Sequence, residues 1–554
     1  MARDIGLDGI LEEIGPFGKY NVINYALLLF PIYLAGMFGS VFVFEASDIY
    51  YRCNVSQCEG LNDTSWLQYA LPKEKTELSR CKKFEYKEHN HSDICSKDSF
   101  NREIIRECDS IVYSDEDSVV KDFNLGCINW KRTLIGTVHN AGLFVSLPLT
   151  GIISDKYGRR LALSIASTMN GIFGFIRSFS TSYTMLLVFE FLEAGLGAGA
   201  YSTAFVIAME LVGPKGRVFG NTLINAVFVM GLMSLAALSW RLQSWRNLLR
   251  VIYSPAILVL SYLWILNDSA RWLLSKGRHN EAVAVLKKAA KMNKVNLPEE
   301  LLMPLHELDK LAVSDPDTDK FKEDANNEIP VKEESVFLKV MKSSIIRKRV
   351  AVCSFLWMTC TFVYYGLSIN SVSLAGSKYV NFILVAFVEI PANFVCLIVL
   401  EKFGRKRVLI IAYVLSACLC IGLSFLPQGQ KWWSLTLYLS GKFSITVAYS
   451  SVYIYVSEVF PTSVRQSLLA VCSSLGRVGS TLAPLTPLLA QYYDNLPSIF
   501  FGSMALAASV LVFSLPETIN VRLPDTIEDA ERLSQRKMTL CITLHQGRED
   551  HMSF

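Results

Sequence analysis

Charged side chains inside otherwise apolar stretches are where this sequence can do chemistry. Arg477 lies in the run 466–489, about eleven residues from either end; Glu389 lies in 379–400 and Lys442 in 433–456. A charge at the centre of a bilayer costs roughly 2.5–3.5 kcal/mol on insertion scales, so such residues point to a function or a buried partner. A guanidinium can hold a carboxylate or sulfonate by two parallel hydrogen bonds. The alternative for Arg477 is a structural pair with Glu389. Tyr364, in 348–370, offers an aromatic face to an ammonium group or packs in the core. Lys442 either snorkels outward, the reading preferred from sequence, or faces the interior. Glu190 and Glu193 lie in 184–208, and Arg177 closes the short run 161–177.

A second set is repeated. Asp155-Lys156-Tyr157-Gly158-Arg159-Arg160 has a counterpart in Glu401-Lys402-Phe403-Gly404-Arg405, 246 residues on (155 to 401). Glu210 precedes Arg217 by seven, as Glu458 precedes Arg465, 248 residues on (210 to 458). Asp268-Ser269 returns as Glu517-Thr518 after 249 (268 to 517). Carboxylates and arginines at helix ends can pair across neighbouring helices, while Gly158 and Gly404 permit a tight turn. These residues are read as a gate that holds one end of the bundle shut in one conformation and parts in the other.

The third set lies in 45–133. Six of the chain's 13 cysteines are there: Cys53, Cys58, Cys81, Cys95, Cys108 and Cys127. They are interleaved with three glycosylation sequons, at Asn54, Asn62 and Asn90. An even number of cysteines in a short segment suggests disulfides in an oxidising compartment, and sequons point the same way. A zinc-binding insert is the weaker alternative. The other seven cysteines mostly lie in apolar runs and read as small packing residues.

The elements that must position these residues are membrane spans. Of 554 residues, 51% are apolar and 19% charged, below the ~25% usual in soluble domains. The apolar surplus is segmental, in twelve runs at about 21–44, 134–154, 161–177, 184–208, 219–239, 251–267, 348–370, 379–400, 408–426, 433–456, 466–489 and 497–515. This excludes a soluble multidomain enzyme, a fibrous protein and a disordered one. A net charge of +4 gives no reason to expect nucleic acid. No GxxxxGK[ST] loop supports ATP-driven pumping, and His306-Glu307 lacks the second histidine of a zinc-protease motif. The chain is not expected to be an enzyme, and neither cofactor nor metal is expected. No cleavable signal segment is read before the first span.

An even number of spans puts both termini on one side. The short loops there carry Lys156, Arg159, Arg160, Lys215, Arg217, Lys402, Arg405, Lys406 and Arg407, which makes that side cytosolic. Arg241, Arg246 and Arg250 fall on the other side and dissent. The expected order is a cytosolic 1–20, the first span over 21–44, an extracellular cysteine-rich loop over 45–133, and spans two to six over 134–267. A cytosolic loop over 268–347, spans seven to twelve over 348–515 and a cytosolic tail over 516–554 complete it. The central loop is read as helical around Glu281–Asn293, with an acidic linker from Asp315.

The ordered repeats mean that a six-helix unit has been duplicated. Parallel six-helix halves are the architecture of the major facilitator superfamily, an all-α membrane fold whose substrate site lies between the halves near the bilayer midplane. Further motifs carry a narrower likeness: Gly15-Pro16-Phe17-Gly18-Lys19-Tyr20, the large cysteine-rich loop, Asp268-Ser269-Ala270-Arg271-Trp272-Leu273, Tyr364-Tyr365-Gly366-Leu367, the run from Glu458 to Arg465, and Leu515-Pro516-Glu517-Thr518. Over most of its length the chain resembles the organic cation, organic anion and carnitine transporter family. The resemblance implies a multi-pass plasma-membrane transporter of small organic ions. It also implies that Arg477 stands where organic-anion and carnitine-type members carry Arg and typical cation members carry Asp. Glu389 resembles the acidic position of cation and carnitine members, whereas Asn393 stands where anion members often carry Lys. Glu190 stands where the family usually shows Arg, a departure that puts a borrowed proton-coupling role in doubt.

An Arg and a Glu facing one cavity suit the two ends of a zwitterion. A carnitine-like or amine-containing substrate is therefore the first expectation, moved by alternating access. A simple organic anion, or a non-transporting sensor on the same fold, are the alternatives. The expected partners are that substrate, the lipid bilayer, and a coupling ion (sodium or proton) or exchange substrate.

Overall fold

The computed structural model describes residues 7–15, 18–60, 63–74, 77–87, 95–212, 214–297, 343–427, 430–461, 465–493, 495–519, 524 and 528–531. Within them the apolar runs fold into twelve helical stretches. The first six are α1 (Lys19–Glu45), α2 (Asn129–Tyr157), α3 (Arg159–Arg177), α4 (Tyr183–Glu210), α5 (Pro214–Leu242) and α6 (Trp245–Ile265). The second six are α7 (Ser344–Ser373), α8 (Lys378–Phe403), α9 (Arg405–Leu423), α10 (Lys431–Val459), α11 (Arg465–Leu482, continued to Leu489) and α12 (Leu496–Val512). At 1.5 Å per residue, about twenty residues cross the hydrocarbon layer. Among the described residues nine helices are both long and apolar enough to do so. The other three have visible reasons to fall short. α3 buries Ser164, Ser167, Thr168 and Asn170; α10 buries Lys442 and several hydroxyls; α12 has only 17 residues.

Each half has its own core. In the second, Leu356, Leu409, Ile445, Val452, Ala505 and their neighbours form one buried cluster. The first-half core extends across the seam to take in Phe382 and Ala386 of α8. That seam closes at the end of the bundle that carries the cysteine-rich region. Phe44 stacks on Tyr379 at 5.8 Å and meets Phe382 edge-on at 5.0 Å, Trp240 stacks on Tyr379 at 6.3 Å, and Lys378 pairs with Glu116 at 2.8 Å. Arg246, one of the dissenting cations, works at this end too. It pairs with Asp122 at 3.1 Å and donates to the carbonyls of Ser178 and Ser180 just past α3. A cation at a helix C-terminus satisfies its last carbonyls.

The cysteine-rich region departs from an all-helical reading by forming three small antiparallel sheets. They pair β1 (Tyr51–Cys53) with β6 (Ile111–Tyr113), β2 (Lys73–Glu74) with β3 (Glu77–Leu78), and β4 (Lys82–Tyr86) with β5 (Phe100–Glu107). Its apolar cluster is small, centred on Val55, Trp66, Ala70 and Phe100. A core of that size needs staples. All six cysteines supply them, as Cys53–Cys108, Cys58–Cys95 and Cys81–Cys127. Of the cysteines in the spans, five are buried and Cys418 is exposed.

At the other end, the short helix Leu7–Ile14 packs on the helix His279–Asn293 through Ile10, Ile14, Val283 and Leu286. Asn293 then caps α1, accepting from the Tyr20 amide at 2.8 Å. The acidic linker from Asp315 lies outside the described residues.

Candidate functional site

Tyr364, Glu389, Lys442 and Arg477 come from α7, α8, α10 and α11, and the fold separates them into two adjoining groups. In the first, Lys442 Nζ stands 3.0 Å from Glu389 Oε1. The Tyr364 hydroxyl donates to Glu389 Oε2 at 2.6 Å, and the ammonium lies 3.2 Å from the centroid of the Tyr364 ring. Lys442 also donates to Ser368 Oγ at 2.7 Å. The lysine is wholly buried, which corrects the expectation that it snorkels outward. Its stem is too deep for the ammonium to reach water, and a carboxylate is already at hand.

In the second group, Arg477 is half-buried beside the Tyr365 phenol, with those of Tyr449 and Tyr201 also close to its guanidinium. Tyr201 belongs to α4 of the first half, so this group bridges the two halves. Among the described residues no carboxylate lies within ion-pairing distance of Arg477. The structural pair with Glu389 is therefore not made, because Lys442 holds that acid instead. Tyr364 joins the groups, meeting Tyr365 edge-on at 5.2 Å and stacking with Tyr449 at 5.3 Å. Asn393, the missing cation position, accepts from Ser450 at 2.8 Å.

The arrangement is thus a neutralised acid–base pair beside an uncompensated guanidinium in a wall of tyrosines. Such a wall can hold a carboxylate by the guanidinium and a cationic group by ring faces. Tyr201, Tyr365 and Tyr449 were not singled out from sequence. Tyr449 and Tyr453 are four apart on one face of α10, which was the available signal.

The repeated motifs form two matching turns. Gly158 (φ 113°, ψ 152°) and Gly404 (φ 89°, ψ 159°) occupy a backbone region open essentially to glycine alone. Each is followed at once by a helix whose first amides need acceptors. Asp268 accepts from the Arg160 amide at 2.9 Å; Glu517 accepts from the Arg405 amide at 3.1 Å and the Lys406 amide at 3.2 Å. A Cβ on either glycine would come within 3.0 Å of the capping carboxylate. The third repeated acid is therefore a cap supplied from the end of the six-helix unit, a role not read from sequence.

The remaining motif residues pair within one half. Arg159 binds Asp155 at 2.5 Å and Glu210 at 3.6 Å, while Arg160 stands 3.7 Å from Asp268. Arg405 grips Glu458 at 3.0 Å through its guanidinium. Glu458 thus meets Arg405, not Arg465, whose guanidinium donates to the Phe460 carbonyl. Arg217 sits in the first turn of α5, and Glu401 is exposed. Of the sequons, Asn54 is half-buried with its Oδ1 enclosed, while Asn62 and Asn90 lie outside the described residues.

Two six-helix halves carrying the same acid-capped glycine turn define a major facilitator. Residues 78–529 match the sugar (and other) transporter family. An organic cation transporter protein of Drosophila melanogaster is 30% identical over 96% of both chains. Solute carrier family 22 member 3 of Mus musculus is 27% identical over 96% of this chain and 97% of that one. The partially occluded inward-open xylose transporter XylE from E. coli superposes with a TM-score of 0.60 at 16% identity, covering 91% of this chain and all of that one. The chain belongs to the organic cation, organic anion and carnitine transporter family of the major facilitator superfamily. Its members move small molecules across membranes and are not enzymes.

Proposed function

We propose that this protein carries small organic ions across the plasma membrane by alternating access, with both termini in the cytosol and the cysteine-rich region outside. The observation that carries the substrate reading is Arg477, a cation without an acidic partner among the described residues, set among tyrosines from both halves. Glu389 is already neutralised by Lys442 and has little charge left for a cationic substrate. A zwitterion fits best. Its carboxylate would meet Arg477, and its ammonium would meet the faces of Tyr365 or Tyr449, since Lys442 already covers Tyr364. An organic-cation substrate is the second reading, favoured by the names of the relatives. The repeated motif residues Asp155, Arg159, Glu210, Arg405 and Glu458 would act as the cytosolic gate, re-pairing across the seam when that end closes.

Uptake of radiolabelled carnitine, tyramine and succinate into expressing cells, with and without sodium, tests this. Carnitine accumulation above both others supports the zwitterion reading. Preference for tyramine supports the second reading. Binding without accumulation of any of them would make the protein a sensor and end both.

A further inference from the structure

Six side chains outside the substrate site meet where five helices of the first half converge. They are Glu45 at the end of α1, His139 on α2, Arg177 at the end of α3, Glu190 and Glu193 on α4, and Tyr253 on α6. Each is at most 2% exposed. Arg177 lies at the centre. It is bonded to Glu190 and stands 3.5 Å from Glu193, 3.2 Å from Glu45 and 3.3 Å from the Tyr253 hydroxyl. His139 Nδ1 lies 2.8 Å from Glu190 and 3.5 Å from Glu193. Other charges nearby are engaged elsewhere: Arg246 with Asp122, Arg250 with Ser178, and Lys378 with Glu116.

The cluster is short of positive charge and of donors. Three carboxylates face one guanidinium, and even with His139 protonated one negative charge is left over. Buried without water, an uncompensated carboxylate is not tolerated. Among the described residues, neither Glu45 carboxylate oxygen receives a hydrogen bond, and His139 Nε2 has no partner. A proton on one carboxyl, with another on the imidazole, removes the charge deficit and adds an O–H donor. A divalent cation is the rival, since ligand atoms of His139, Glu190 and Glu193 lie within 4.8 Å of one another. It would have to sit against the Arg177 guanidinium, which already uses the same carboxylates, and it would leave Glu45 unsatisfied.

The cluster also backs directly onto the closed seam. Glu45 follows Phe44, the ring that meets Tyr379 and Phe382 of the second half. The His139 ring lies 5.4 Å from Phe42, and Phe42 packs at Gly136 beside Pro484 of the second half. Parting of these contacts would shift the Phe42–Glu45 segment and give water a route to the carboxylates.

We propose that Glu45, His139, Glu190 and Glu193, arranged around Arg177, form a proton-binding site that couples proton movement to opening and closing of this end of the transporter. The protonated cluster is compatible with burial and holds the end closed. When the end opens, a carboxyl O–H releases its proton to water and the carboxylate is hydrated. This inference rests on the transport function proposed above and names its coupling ion.

Purified protein in liposomes, loaded with radiolabelled carnitine, tyramine or succinate, separates the possibilities. Two modes are measured: accumulation under an imposed pH gradient, and exchange of labelled for unlabelled substrate without one. A gradient and its reverse should change accumulation in opposite directions, by up to about tenfold per pH unit for one coupled proton. Glu45→Gln, and independently Glu193→Gln, should lose that response while exchange continues, and Glu45→Asp should recover part of it. Wild-type exchange with no gradient response overturns the proton site and leaves the transport reading intact. Absence of both modes for every probe overturns the transport reading instead. Loss of the gradient response on chelation, restored by zinc alone, would reassign the cluster to a metal and also overturn the proposal.

Discussion

Lys442 Nζ lies 3.0 Å from Glu389 Oε1, with the lysine wholly buried and the glutamate side chain 5% exposed. Each charge is the reason the other can stay inside the bundle. The pair removes Glu389 from the charges available to a substrate and leaves Arg477 without an acidic partner among the described residues.

Breaking this pair should cost more than removing it. Lys442→Ala leaves a buried carboxylate without its cation, a loss on the order of 3–5 kcal/mol. The expected outcome is poor surface expression and a lowered melting temperature. Lys442→Met combined with Glu389→Gln should recover most of both. A single alanine variant as stable as the parent would show that the pair does not hold α8 to α10.

Arg477 should discriminate between substrates. Arg477→Ala is expected to weaken carboxylate-bearing substrates selectively, by about 1.5–3 kcal/mol, the worth of a hydrogen bond to a charged group. Arg477→Asp should go further and turn preference toward permanent cations. Uptake at matched surface expression is the measurement, and an equal loss for cations and carboxylates would make the residue structural.

The two glycine turns should respond alike. Gly158→Ala and Gly404→Ala each force a side chain into a backbone region reserved for glycine, at about 1–3 kcal/mol, and push on Asp268 or Glu517. Thermal melting of the purified variants should fall in both. A shift in only one half would mean that the duplicated turns no longer carry equal weight.

Asp155 is highly exposed in its pair with Arg159, so its contribution to stability is small. Asp155→Asn should leave melting almost unchanged while lowering maximal transport rate more than substrate affinity, as expected of a group that biases conformations. An affinity loss at unchanged maximal rate would place Asp155 in binding.

The cysteine-rich region should depend on its staples. Cys81→Ser with Cys127→Ser opens a bridge spanning 46 residues, at about 2–4 kcal/mol. Glycosidase treatment should lower the apparent mass of the wild-type protein, and joint replacement of Asn54, Asn62 and Asn90 should abolish the shift. A surviving shift would put the glycans elsewhere.

The sequence by itself determined the twelve helical stretches, the duplication and the family. Those depend on signals local to each segment: an apolar run of sufficient length, or a motif recurring at a near-constant offset. It also marked Arg477, Glu389, Lys442 and Tyr364, because a charge or a family motif in an apolar run stands out wherever the run ends up. What sequence could not give was partnership. Lys442 and Glu389 are 53 residues apart and Tyr201 and Arg477 are 276 apart, and no local pattern says which faces will meet. Arg177, at the edge of a short run, looked like a boundary marker, yet it became the centre of a buried cluster drawn from five helices. Asp268 and Glu517 were visible as a repeat but not as caps, because the amides they satisfy belong to helices begun more than a hundred residues earlier. Helix packing alone decided these contacts, since a buried charge takes the nearest opposite charge in space, and distance along the chain carries no such information.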